Sequence, residues 1–85
     1  MPQYLVEHYV SRDGQAVVEH EAALARHAAE QLCLEGTSVR YLRSIFVPDD
    51  ETCFHVYEAD SVDGVRAAVA RARLPLERVS EAIET

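Results

Sequence analysis

Lysine and tryptophan are absent from this 85-residue chain, and glycine, proline and cysteine are scarce, with three, three and two copies. Without lysine, all eight basic residues are arginine, and they face fifteen acidic ones for a net charge of −7. Nucleic acids and anionic membranes are recognised through a basic footprint, so this balance argues against both as partners. No apolar run approaches the ~20 residues of a membrane span. The N-terminal MPQYLVEHYV lacks the basic stretch and apolar run of a signal peptide. The two cysteines, Cys33 and Cys53, have no CxxC spacing, so a disulfide framework is not expected and a reducing, cytoplasmic compartment is. The glycines are scattered, which leaves no phosphate-binding loop, and the acidic stretch Asp49–Asp50–Glu51 lacks the spacing of a calcium loop.

What is present reads as one small domain over residues 1–85, with 48% apolar residues. YLVEHYV, Tyr4 to Val10, mixes β-branched, aromatic and polar residues as a strand does. Ser11 to Gly14 is a turn. A helix is predicted from Gln15 or Ala16 to about Leu34, with an apolar stripe of Val18, Ala22, Ala25, Ala29 and Leu32 and a stop at Gly36. Strands follow over Ser38–Val47 and Thr52–Glu58, joined by the tight turn Pro48–Glu51. Ser61 is placed to cap a second helix, Val62 to about Arg73, which Pro75 ends. Leu76–Ile83 is the last strand. The order β-α-β-β-α-β predicts an α+β, ferredoxin-like fold: a four-stranded antiparallel sheet, spatial order 4-1-3-2, with both helices on one face. Both strand alternations carry apolar groups, as with Leu5 beside Val6 and Phe54 beside Tyr57. The uncovered sheet face is therefore expected to meet a second copy, giving a homodimeric α/β barrel.

The chemistry is sought among four histidines. His20 and His27 lie two turns apart on one helix, roughly 10 Å along the axis, too far to share an ion, and they point away from the apolar stripe. His8 and His55 lie on strands expected to be antiparallel neighbours. If Tyr4 opposes Glu58, then Glu7 sits across from His55, and a one-residue slip instead puts His8 beside His55. Cys53 shares the His55 face and is a conceivable soft donor. Histidine suits nickel, zinc and copper, and a carboxylate can complete the shell. The metal-site candidates are therefore His8, His55 and Glu7. No residue is read as catalytic. Glu58, Asp60 and Asp63 are expected to complement the positive end of the second helix.

YLVE at the start, CFHVYEA followed by a serine-capped helix, and LPLERV near the end occur together in this order. In these stretches the chain resembles the small bacterial domain-of-unknown-function family 4242, over nearly its whole length. That resemblance implies a ferredoxin-like fold, a homodimer and, because the family includes a nickel-binding member, nickel as the metal. His8 falls at the histidine position of the first strand in such relatives. Their second helix carries histidine where this one carries Arg66, Arg71 and Arg73. Two other functions are weighed beside metal binding: a small-molecule-binding or enzymatic barrel, marked by an enclosed pocket over the strands, and an interaction module without a site.

Overall fold

The computed structural model describes residues 1–85. The elements are β1 (Gln3–Tyr9), α1 (Gln15–Leu34), β2 (Val39–Val47), β3 (Thr52–Ala59), α2 (Val62–Ala72) and β4 (Arg78–Ala82). A single 3-10 turn, Pro48–Asp50, joins β2 to β3. The antiparallel sheet has the order β2-β3-β1-β4, so the expected ferredoxin-like arrangement holds. No helix is long and apolar enough to cross a membrane.

Strand alternation divides the sheet into two faces. Tyr4, Val6, Val39, Tyr41, Tyr57 and Ala59 point toward the helices and join Ala25, Ala29 and Leu32 of α1 and Val65, Ala68 and Val69 of α2 in the main core. Small alanines on both helices let the backbones lie close to the sheet, which suits so short a chain. At the start of α1 a smaller cluster of Val10, Val18 and Cys53 is closed by Phe46. Leu5, Ile45, Phe54 and Val56 lie on the opposite face.

Both helices end in Schellman geometry, in which two backbone N–H groups bond back to the last turn. In α1 these bonds are Gly36 to Cys33 and Thr37 to Leu32, with Gly36 at φ 102°. In α2 they are Arg73 to Ala70 and Leu74 to Val69. Here the left-handed position falls on Arg73, at φ 58°, so α2 stops before Pro75 is reached. A side chain in that region is disfavoured by about 1 kcal/mol. Arg73→Gly is expected to raise stability by about that amount, seen as a higher urea midpoint at unchanged slope. An unchanged or lower midpoint would contradict it.

The register of β1 on β3 is neither of the two that the sequence left open. Tyr4 opposes Tyr57, Val6 opposes His55, Glu7 opposes Phe54 and His8 opposes Cys53. Pattern alone leaves register open by one residue, and burial decides it: this pairing puts both histidines on the helix-covered face and Glu7 on the other. The last strand starts at Arg78 rather than Leu76. Glu58 takes a plainer role than that of a helix-dipole partner, for Arg40 bonds its carboxylate across the β2–β3 pair at 3.1 Å.

Candidate metal centre

Three elements send side chains to one buried point. β1 supplies His8, β3 supplies Cys53 and His55, and α1 supplies Glu21. The connection from β1 to α1 makes this possible by being short. A Cβ on Gly14 would lie 2.4 Å from Val10 Cγ1, so glycine permits the approach that swings the second turn of α1 over the end of β1. His8, Glu21, Cys53 and His55 are all buried, and one ligand atom from each lies within 4.8 Å of all the others.

The geometry centres on Glu21. Its Oε1 is 2.8 Å from His8 Nε2 and 3.2 Å from His55 Nε2. Cys53 Sγ is 3.6 Å from the same His55 nitrogen. The two imidazoles lie nearly stacked, with centroids 5.8 Å apart. The remaining nitrogens are held from behind: His8 Nδ1 lies 3.0 Å from the Tyr9 carbonyl and His55 Nδ1 lies 2.9 Å from the Tyr41 hydroxyl. A carbonyl only accepts, so His8 Nδ1 donates. Its Nε2 is thereby turned to Glu21.

Burial sets the electrostatics. It pushes the His55 pKa below the usual histidine value; Glu21 pulls the other way and His8 adds to the depression. Burial, and then the charge of Glu21, push the Cys53 thiol up to about 11. That thiol is a poor nucleophile near neutrality, but a cation could displace its proton. Burial likewise raises the Tyr41 and Tyr57 phenols. The Tyr57 hydroxyl has no hydrogen-bond partner.

Of the sequence candidates, His8 and His55 are brought together. Glu7 is not: it lies on the other sheet face, 3.9 Å from Arg78. His20 and His27 are exposed on α1. Glu21 was missed, although a signal for it exists. It falls at spacings of three and four from Val18 and Ala25, so a carboxylate stands within the apolar stripe of α1. A buried carboxylate needs partners, and the only histidines able to face that stripe are on the sheet. Cys53, seen as a conceivable donor, is in the cluster.

Two surface depressions flank the seam between α1 and β2. One, of about 340 Å³, is lined by residues including Arg26, Cys33 and Tyr41, and the other, of about 400 Å³, by residues including Gln15, Ser44 and Phe46. Neither is lined by any of the four clustered residues.

A family model described as nickel responsive protein, SCO4226-like, matches residues 4–82. Among solved structures, the crystal structure of SCO4226 from Streptomyces coelicolor A3(2) matches with a TM-score of 0.78. The match covers 98% of this chain and 98% of that one at 12% identity, a likeness of fold. No curated protein matches the chain.

Proposed function

This chain belongs to the SCO4226-like family of nickel responsive proteins, and we propose that its buried His8, Glu21, Cys53 and His55 bind a transition-metal ion, nickel in preference to zinc or copper. The observation that carries this reading is the convergence of two imidazoles, a thiol and a carboxylate within 4.8 Å, all buried. A four-coordinate ion with bonds of ~2.0–2.3 Å holds its donors about 3.3–3.8 Å apart. The contacts at 3.2 and 3.6 Å are close to that spacing, and the 2.8 Å contact between His8 and Glu21 would open by about half an ångström. Mixed nitrogen, sulfur and oxygen donors suit nickel, zinc and copper alike, and the family supplies the reason to place nickel first. When bound, the ion would supply the positive charge that this carboxylate and thiolate lack. Binding would displace protons from the cluster, so affinity rises with pH.

The chelator-treated protein is expected to bind nickel stoichiometrically in calorimetric titration, and His55→Ala to weaken binding by about 100-fold or more. A wild type that binds neither nickel nor zinc, or a variant that binds as well as wild type, would sink the reading. An enclosed pocket over the strands would have favoured a ligand-binding or enzymatic role. The two depressions lie at the α1–β2 seam instead.

A homodimer belongs to the same proposal. Leu5, Ile45 and Phe54, half-buried or exposed, make an apolar patch on the sheet face without helices, flanked by the Glu7–Arg78 and Arg40–Glu58 pairs. A second copy related by a two-fold axis would cover it. Phe54→Glu is expected to convert a dimer to a monomer in light scattering coupled to gel filtration. A wild type that already runs as a monomer would refute this.

A further inference from the structure

Both ring nitrogens of His55 are engaged by side chains. Nε2 faces the Glu21 carboxylate and the Cys53 sulfur, and Nδ1 faces the Tyr41 hydroxyl at 2.9 Å. A carboxylate oxygen only accepts, so in the metal-free protein Nε2 carries the proton and Nδ1 accepts from Tyr41. A ligand nitrogen must instead offer a lone pair. For Nε2 to act as ligand, the His55 proton has to sit on Nδ1, and the group behind Nδ1 has to accept it. His8 needs no such exchange behind it, because the Tyr9 carbonyl accepts from Nδ1 whether Nε2 faces Glu21 or an ion. Only a group that can both donate and accept serves behind His55, and a phenol hydroxyl does both.

The backbone of β2 is built around this contact. Between Tyr41 and Arg43 the register shifts, so Tyr41 opposes Tyr57 while Ser44 opposes His55. Residues three apart on a regular strand face opposite sides. The extra residue brings Tyr41 and Ser44 to the same, helix-covered side. Ser44 thereby comes to the side of the sheet that carries the Tyr41 hydroxyl and His55.

We propose that Tyr41 is a positioning residue for the metal centre: its hydroxyl donates to His55 Nδ1 in the metal-free protein and turns to accept from it when Nε2 becomes a ligand, with Ser44 taking the phenol proton's hydrogen bond. This rests on the metal-binding reading above. The proton count of the turn closes on the side chains: the phenol keeps its proton throughout, Nδ1 gains one and Nε2 gives one up.

The test uses full-length protein with ¹⁵N-labelled histidine. Zinc, a diamagnetic probe, is added while two-bond proton–nitrogen spectra report which ring nitrogen is protonated. The His55 proton is expected on Nε2 before zinc and on Nδ1 after it. Tyr41→Phe should bind zinc roughly 10–100-fold more weakly, the cost typical of an outer-shell partner. Its zinc-loaded Nδ1 proton should exchange with water faster than in wild type. Tyr57→Phe, which removes a hydroxyl without a partner, should change neither readout. A metal-free His55 already protonated on Nδ1 alone would overturn the proposal. Equal zinc affinity in Tyr41→Phe and wild type would overturn the role of Tyr41 while leaving the site standing. A wild type that binds neither zinc nor nickel would overturn the metal reading and the reversal together.

Discussion

Glu21→Gln is expected to weaken nickel binding by about 100-fold or more, while Glu7→Gln leaves it unchanged. The substitution keeps the shape of the side chain, so no cavity opens and the core around Val18 and Ala25 stays packed. What changes is charge and donor pattern. Oε1 of Glu21 stands 2.8 Å from one imidazole and 3.2 Å from the other, and it belongs to the only carboxyl group in the cluster. An amide oxygen is a weaker ligand, and the amide nitrogen would point donors at two other donors. Losing a ligand should exceed the ~10–100-fold loss typical of an outer-shell partner. Glu7 offers the contrast because it has the same chemistry on a neighbouring residue of β1, yet its side chain lies across the sheet beside Arg78. Calorimetric titration of both variants with nickel checks the pair. Equal loss in both would point to general electrostatics rather than ligation, and no loss in Glu21→Gln would remove Glu21 from the site.

Metal-free protein is expected to lose stability steeply above pH 9. The Cys53 thiol has an ordinary value of 9.0 and a folded value of about 11. Between the two, the unfolded chain has given up this proton and the folded chain still holds it. Fewer protons on the unfolded state mean that stability falls as pH rises. Traversing the whole window costs about 2–3 kcal/mol. The buried Tyr41 and Tyr57 phenols are shifted the same way from 10.0, so their loss of stability adds to it from about pH 10. On the acid side the sign comes from the opposite shift. The His55 pKa is lowered from 6.5, so below that value the unfolded chain binds the proton that the folded one refuses, and stability falls as pH drops. Urea midpoints measured from about pH 5 to 10.5 should therefore trace a dome with its top between about 7 and 8.5. Cys53→Ala should delay the alkaline fall to the tyrosine range. A wild-type midpoint that is flat between pH 9 and 10.5 would contradict the buried thiol.

The period of each segment was readable because burial writes itself into local pattern. Alternation in YLVEHYV and CFHVYEA, the stripe of α1 and the turn residues at Pro48 and Gly36 sufficed for β-α-β-β-α-β and for the helix-covered sheet. They also brought His8 and His55 onto adjacent strands. Those features depend on neighbours a few residues away, and sequence records them directly.

The carboxylate of the site was decided elsewhere. A strand pattern repeats every two residues, so a slip of one residue exchanges its faces and moves Glu7 from one side to the other. The packing of Val6 and the two histidines beneath α1 selects one register, and no local rule states it. Glu21 and His55 are separated by 34 residues, and their contact depends on how closely α1 lies over β1, which Gly14 sets through its clearance from Val10. The bulge that brings Tyr41 to His55 likewise comes from the fit of β2 against β3. The sequence by itself determined the elements and the pair of histidines, through short-range periodicity; only the tertiary structure chose Glu21 over Glu7 and placed Tyr41 behind His55, because register and helix docking are settled by contacts between distant parts of the chain.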